Sequence, residues 1–446
     1  TEQQLDAAYA TADAVYIGVE GLDAAGEPIP DAAFRHFVRI GADGEAVTKV
    51  NGAAAKPGKA PSLGGWERAG QAERVAGTSE RYATIEGPSD LVSLGAPEGY
   101  GWMRLRIKAN AAKKTNAAFF QAADRLHLYL DSKFIGIVGA GPGAEGPMHG
   151  LPLKKGVNEL TVLVDNLGRS TAGGPMGDRK GLFGHVYEVK PVPKVKREVV
   201  EGAPLMPLSF RSPLWGVHAY EPTRPERLTW QVTHRRKSPL ILALDGMDGA
   251  VSAHALVLLN DEPVDWLEPG GPRRFIFTSE ALKQGKNVIQ LALLEDDDAV
   301  RKAIGAAAKL YEGVNGLTEG AEWAFAKWER PEKGRFESVS KSAMGGSKLN
   351  EPTWWRCTFK VKDAAAPLHF DASGLTKGQI FVNGRNLGRY WVTTPSNKKV
   401  PPQTQSYIPE AWLNLEGENE IVIFDEHGAT PNRCKLVYDA MGPMGD

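Results

Sequence analysis

The chain is poor in most of the features that announce a function. Its 446 residues hold two cysteines, Cys357 and Cys434, which excludes a disulfide-framed scaffold and any four-cysteine zinc site. Neither sign of charge is in excess: 53 basic residues stand against 54 acidic ones, for a formal net charge of -1. Nothing in that balance favours a nucleic-acid partner, whose phosphates demand a basic surface. The longest apolar runs, such as Leu256 to Leu259 and Ile421 to Phe424, fall far short of the roughly 20 residues of a membrane-spanning helix, so no membrane partner is expected. The nine histidines are scattered, without a His-Glu-x-x-His or similar ligand spacing, and no transition-metal site or cofactor is expected. A structural calcium would have no spacing signature and stays open.

Helix is scarce too. The best signal runs from Asp296 to Leu310, where three aspartates precede Ala-Val-Arg-Lys-Ala-Ile and suit the positive end of a helix dipole. A weaker one covers Glu2 to Ala10. The chain opens on Thr1 without a basic segment and apolar run, so a leader or a larger upstream portion is expected to have been removed.

What is present in quantity is turn chemistry. Fifty glycines and thirty prolines bound short runs with period-two alternation, the pattern of antiparallel sandwiches. The runs repeat. An apolar strand enters a tight polar turn and returns at Leu128-Tyr-Leu-Asp131-Ser-Lys-Phe-Ile-Gly136, at Leu256-Val-Leu-Leu-Asn260-Asp-Glu-Pro-Val264, and at Ile380-Phe-Val-Asn383-Gly-Arg-Asn-Leu-Gly388. Downstream of each come a Gly-x-Asn turn and a second apolar strand: Gly156-Val-Asn158, Gly285-Lys-Asn287 and Gly417-Glu-Asn419. Asp131 and Asn158 are 27 residues apart, as are Asn260 and Asn287, whereas Asn383 and Asn419 are 36 apart, so the third copy carries a nine-residue insertion. Asn and Gly suit such turns because they tolerate the left-handed backbone between twisted strands.

Three copies of one unit, each separated by about the length of a small sandwich, predict an all-β chain of serial antiparallel β-sandwich or jelly-roll domains with few short helices. The expected boundaries are a small β module and flexible link at 1–65, then sandwiches at 66–193, 200–315 and 321–440. Pro191-Val-Pro-Lys-Val-Lys-Arg-Glu reads as a semi-rigid linker between the first two. Gly139-Ala-Gly141-Pro-Gly143-Ala-Glu-Gly146 reads as a loop rather than a phosphate cradle, because the prolines at 142, 147 and 152 disfavour the helix such a cradle needs. Cys357 and Cys434 each share a strand face with large apolar residues, which reads as two buried thiols or as a disulfide between the first and last strands of one sandwich.

The string Lys377-Gly-Gln-Ile-Phe-Val-Asn-Gly-Arg-Asn-Leu-Gly-Arg-Tyr-Trp391, with Tyr407-Ile-Pro-Glu-Ala-Trp-Leu and Glu418-Asn-Glu-Ile-Val-Ile-Phe-Asp-Glu behind it, resembles the galactose-binding-like jelly roll of family 35 β-galactosidases. Tyr100-Gly-Trp-Met-Arg-Leu-Arg, Leu163-Val-Asp-Asn-Leu-Gly-Arg-Ser-Thr-Ala-Gly-Gly174 and Asp178-Arg-Lys-Gly181 resemble the preceding β-domain of the same family. The resemblance implies a glycan with terminal β-galactose as ligand, a catalytic barrel supplied by another chain or domain, and an extracellular or periplasmic setting. It implies no catalytic residue here. A (β/α)₈ barrel needs about 250 residues of alternating strand and helix, that alternation is missing, and no glutamate matches a family catalytic motif. The expectation is therefore an accessory portion of a β-galactosidase-like glycoside hydrolase; the rivals are a free-standing carbohydrate-binding protein and a structural spacer.

The candidate carbohydrate-binding residues are Asn383, Arg389, Tyr390 and Trp391, where an aromatic face could stack on a pyranose while Arg and Asn bond its hydroxyls. The competing reading is that the Gly-Arg-Tyr-Trp string packs the sandwich. Trp354 and Trp355 alternate in a strand, so one is expected in the core and the other exposed or domain-facing as a further candidate. Asp425-Glu426-His427, just beyond the last apolar strand, reads as a solvated turn.

Overall fold

The computed structural model describes residues 8–31, 36–50, 59–168, 179–193, 195–201, 208–212, 216–220, 226–245, 253–268, 273–293, 298–340, 342, 344, 351–361, 367–401 and 404–438. The chain is all-β, with antiparallel ladders between its strands and short helices at Ala72–Val75 and Asp298–Ala307. Among the described residues no helix is long and apolar enough to cross a membrane. Two compact units divide it, one of residues 71–330 and one of residues 1–70 with 331–446.

The first unit contains two hydrophobic cores. A six-stranded sheet in the order Lys133–Gly139, Arg125–Leu130, Gly156–Asp165, Tyr100–Ala109, Glu322–Lys327, Ala83–Ile85 faces a core of Met103, Leu105, Leu126, Leu128, Leu160, Val162 and Phe325, among others. A five-stranded sheet, Lys196–Glu201, Glu226–His234, Gly285–Leu293, Ala255–Leu259, Glu262–Leu267, faces a core of Leu228, Trp230, Val257, Ile289 and Leu291 with the helix residue Ile304. A single six-stranded sheet serves both: Met148–Leu153, Lys113–Ala118 and Tyr187–Pro191 continue without interruption into Lys309–Gly316, Leu240–Ala243 and Arg274–Phe277. The seam is the pairing of Tyr187–Pro191 with Lys309–Gly316.

In the second unit a six-stranded sheet, Glu337–Ser338, Gly64–Gly70, Thr353–Phe359, Asn419–Asp425, Lys377–Val382, Arg385–Trp391, and a three-stranded one, Gln405–Ile408, Leu368–Asp371, Lys435–Tyr438, enclose Trp66, Trp355, Cys357, Phe370, Ile380, Tyr390, Ile423 and Leu436. Cys357 and Cys434 are free thiols in this core. The amino-terminal strands Ala8–Ala10, Ala14–Ile17, His36–Gly41 and Ala46–Val50 form a separate four-stranded sheet around Ala14, Tyr16, Val19 and Phe37.

Pairing corrects several expectations. Gly64–Gly70 hydrogen-bonds to Thr353–Phe359, so Trp66 belongs to the third sandwich and not to a first one beginning at residue 66. Glu322–Lys327 adds to Tyr100–Ala109 of the first sandwich, which a third domain starting at 321 would not allow. Both strands join partners more than 200 residues away, beyond what local pattern reports. The linker expected at Pro191 is largely absent, because Pro191 ends one strand and Lys196 begins the next. The carboxyl-terminal helix signal is realised over Asp298–Ala307; Asp296 and Asp297 lie outside the described residues, and Lys309 and Leu310 are strand. The signal at Glu2 to Ala10 also falls largely outside them, and its described end, Ala8–Ala10, is strand, with Tyr9 opposite Tyr16. The glycine-rich segment after Val138 is a loop, as its prolines imply, and the Arg125 guanidinium donates to the carbonyls of Ala140 (3.1 Å) and Pro142 (3.0 Å).

The three hairpins share one construction. Their turn residues lie in the left-handed region: Asp131 and Ser132 at φ 46° and 67°, Asn260 and Asp261 at 54° and 70°, Asn383 and Gly384 at 46° and 82°. That pair of positive φ values gives a turn twisted like the flanking strands. The turn side chain then accepts from the backbone N–H that follows the downstream asparagine: Glu159 to Asp131 (3.0 Å), Val288 to Asn260 (3.0 Å), Glu420 to Asn383 (2.8 Å). Asn158, Asn287 and Asn419 are wholly buried and bond the chain just upstream of themselves, accepting from Lys154 N, Lys283 N and Asn414 N and donating back to the carbonyls of the same three residues. A buried amide is tolerated only with its polar atoms satisfied, and here each ties a turn to a neighbouring strand.

Candidate functional site

The third hairpin, Lys377–Val382 with Arg385–Trp391, carries most of the candidates, and alternation divides them between two faces. Asn383 sits in the turn. Its Nδ2 donates to the Trp412 carbonyl (2.7 Å) and to Asn419 Oδ1 (2.7 Å), and its Oδ1 accepts from Glu420 N. Its hydrogen-bonding capacity is largely spent on holding the turn, as at the two earlier hairpins.

Tyr390 faces the core. It is buried, and its hydroxyl donates to the Phe424 carbonyl or Asp425 Oδ2, each 2.9 Å away. Gly378 makes the approach possible: a Cβ there would lie 1.7 Å from the Phe424 carbonyl oxygen and 2.8 Å from the Tyr390 hydroxyl.

Arg389 and Trp391 point to the opposite face and are half-buried. Across the ladder, Gln379 stands beside Arg389 and Lys377 beside Trp391. The Lys377 ammonium lies 5.0 Å from the Trp391 ring centroid, a cation–π contact. The same ammonium forms an ion pair with Glu426, and both residues are almost wholly buried.

Trp354 and Trp355 do point to opposite faces, but neither is exposed. Trp355 joins the core, while Trp354 packs on Phe424 (ring centroids 5.0 Å) and Phe381 (6.0 Å). The expectation that one would be exposed fails because alternation fixes which face a side chain takes, not whether that face is covered. Each indole so buried contributes about 2–3 kcal/mol of apolar burial, and neither offers a ring to a ligand.

Asp425-Glu426-His427 is not a solvated turn either, for all three residues are buried. Asp425 accepts from Thr376 N (2.8 Å), Thr376 Oγ1 (2.7 Å), His427 N (3.0 Å) and Ala429 N (3.0 Å), besides lying in reach of the Tyr390 hydroxyl. Burial pushes its carboxyl upward, and the bonds from Thr376, Ala429 and His427 pull the other way without fully offsetting it. Its oxygens are taken up by backbone N–H groups and the Thr376 and Tyr390 hydroxyls, and one Glu426 oxygen by Lys377, so the cluster acts as a buried polar clamp.

Two features were missed by sequence reasoning. One is the buried Lys377, the first residue of its strand, whose Glu426 partner lies 49 residues downstream and left no local signal. The other lies on the three-stranded sheet, where Tyr407 is exposed, donates its hydroxyl to Glu410 and packs at a tilt against His369, 5.6 Å between ring centroids. In the other unit, an open cleft of about 860 Å³ is lined by Lys114, Asn116, Glu145, Met148, His149 and Pro152, with His149 Nδ1 2.8 Å from Glu145.

Residues 352–419 match the model of the galactose-binding domain of β-galactosidase. Among curated proteins the chain is 36% identical over 104 residues to beta-galactosidase 11 of rice (Oryza sativa subsp. japonica), which is 22% of this chain and 12% of that enzyme. It is 37% identical over 79 residues to rice beta-galactosidase 12, or 18% of this chain and 9% of that protein. The chain thus aligns with only a small fraction of these relatives. Among solved structures, a Bacteroides uniformis β-glucuronidase aligns with 66% of this chain and 29% of its own at 11% identity and a TM-score of 0.23.

Proposed function

We propose that this chain is the accessory, non-catalytic β-sandwich portion or subunit of a β-galactosidase-like glycoside hydrolase, and that its third sandwich contacts a glycan ending in β-galactose. The observation that carries the reading is the match of residues 352–419 to a galactose-binding domain, on a hairpin whose motif residues build the sandwich instead of a catalytic centre. A retaining glycosidase needs two carboxyl groups about 5–5.5 Å apart, one of them a free proton donor. In the clamp of the third sandwich the carboxyl oxygens are held by Thr376, His427 N, Ala429 N and Lys377. In this reading catalysis belongs to a barrel on another domain or chain. Incubation of the purified chain with an aryl β-galactoside is expected to give no release of the aryl group above buffer; turnover at an enzyme-like rate, with contamination excluded, overturns the proposal.

Of the six residues first considered for sugar contact, burial leaves Arg389 and Trp391 with open surface, and Asn383 is exposed but engaged in its turn. Trp391 ends the hairpin strand with the Lys377 ammonium 5.0 Å from its ring centroid.

A further inference from the structure

We propose that the outer face of the three-stranded sheet is a contact site for a neutral pyranose, with Tyr407 as its platform and Glu410 as its acceptor. This rests on the carbohydrate reading above and gives it a location different from the Gly-Arg-Tyr-Trp hairpin.

The register sets up the face. His369 pairs with Tyr407 on one side and Val437 on the other, so the three form one outward-pointing row. Two residues along, Asp371 pairs with Gln405 and Lys435, which places the exposed Gln405 and Lys435 about 7 Å away on the same face, with Asp371 between them buried and bonded to Ser373. The intervening Phe370 and Leu436 point inward to the core. An exposed aromatic ring beside exposed polar side chains suits a hexose, which presents an apolar C–H face to a ring and hydroxyls at its rim.

Two features make Tyr407 a better platform than the other aromatics. It is 45% exposed, more than Tyr9 at 39%. Its ring is also fixed, by the hydroxyl bond to Glu410 on one side and by His369 behind it, so little side-chain freedom remains to be lost on binding. Glu410 is half-buried, and a carboxylate can accept about four hydrogen bonds. The Tyr407 hydroxyl uses one, and the rest suit sugar hydroxyls. A carboxylate at the platform's edge also disfavours an acidic sugar, because like charges repel, and this commits the site to neutral pyranosides. All three of Tyr407, His369 and Glu410 lie within residues 352–419, the stretch that matches the galactose-binding model.

The test is titration of the full chain with methyl β-D-galactopyranoside, followed by saturation-transfer NMR and calorimetry, with methyl β-D-glucuronide as the acidic comparison. The galactoside is expected to bind and the glucuronide to bind more weakly. Tyr407→Ala is expected to weaken binding about tenfold or more, whereas Tyr407→Phe, which keeps the ring, stays within about threefold. Val264→Ser, an exposed change in the second sandwich, leaves binding unaltered. Tyr407 is on the surface, so its removal leaves the fold intact, and an unchanged circular dichroism spectrum checks this. Binding that survives Tyr407→Ala, or that is lost in Trp391→Ala alone, overturns the site while leaving the carbohydrate reading standing. Equal affinity for the glucuronide overturns the commitment to a neutral sugar. If the unaltered chain binds no sugar of a broader neutral panel, the carbohydrate reading itself falls, and the site with it.

Discussion

The first and third hairpins close the same turn with different groups. In the third, an amide does everything: Asn383 accepts from Glu420 N and donates to Asn419 and the Trp412 carbonyl. In the first, Asp131 accepts from Glu159 N but has nothing to donate, and Lys154 supplies the missing cation 2.9 Å from its other oxygen. Six residues upstream of the turn, each copy places a basic side chain. Arg125 is capped by loop carbonyls, whereas Lys377 is locked to Glu426 in a buried ion pair. The backbone frame is therefore the constant, and the charge arrangement is what varies. The first copy keeps its charge pair at the surface, where water screens it, and the third keeps its pair inside, where nothing does.

The largest effect should come from breaking the buried pair. Lys377→Met leaves Glu426 without its cation and is expected to cost about 3–5 kcal/mol, read as a fall in the urea midpoint at pH 7; a loss under 1 kcal/mol would mean that the clamp is held from elsewhere. Next is the buried asparagine: Asn419→Ala strands the Asn414 N–H and carbonyl and should cost about 2–3 kcal/mol, with Asn158→Ala and Asn287→Ala similar because the bonds are the same. Exchanging the two turn residues sharpens the contrast. Asn383→Asp loses two donated bonds and gains no lysine, for about 1–2 kcal/mol of destabilisation, while Asp131→Asn should stay within about 1 kcal/mol.

The smallest effect concerns pH. Burial alone would raise the Asp131 carboxyl, but the bonds from Lys154 and from Glu159 N–H outweigh it and hold the group below the usual carboxylate range. A carboxyl lowered on folding stabilises the native state above its unfolded value and loses that contribution as pH falls through the folded one. Urea midpoints compared at pH 7 and pH 3 should therefore fall less steeply in Asp131→Asn than in the unaltered chain. An identical acid slope would show that the surface pair contributes nothing.

Local chemistry made the hairpins readable, because a left-handed turn restricts residue choice within four positions and leaves its mark each time. The all-β class followed from the same punctuation. The site was less readable because burial there is decided at long range. Trp354 and Trp355 could be sorted to two faces, but the aromatic cover of Trp354 comes from Phe381 and Phe424, on strands far along the chain. Asp425-Glu426-His427 carries as much polarity as any surface turn, and what makes it an interior element is Thr376 and Lys377, about 50 residues upstream. The thiols could be placed on apolar faces but not assigned a redox state; burial raises both, so they should resist alkylation until the sandwich unfolds.

The sheet that runs from Met148–Leu153 through Arg274–Phe277 has a consequence for how its unit carries load. Two sandwiches joined by a peptide tether can pivot and come apart one at a time. Here the join is a rank of hydrogen bonds between Tyr187–Pro191 and Lys309–Gly316, so a torque on either sandwich passes into the other along a stiff plate. Fraying at that seam would loosen a strand from both cores at once, so the two sandwiches are expected to unfold together.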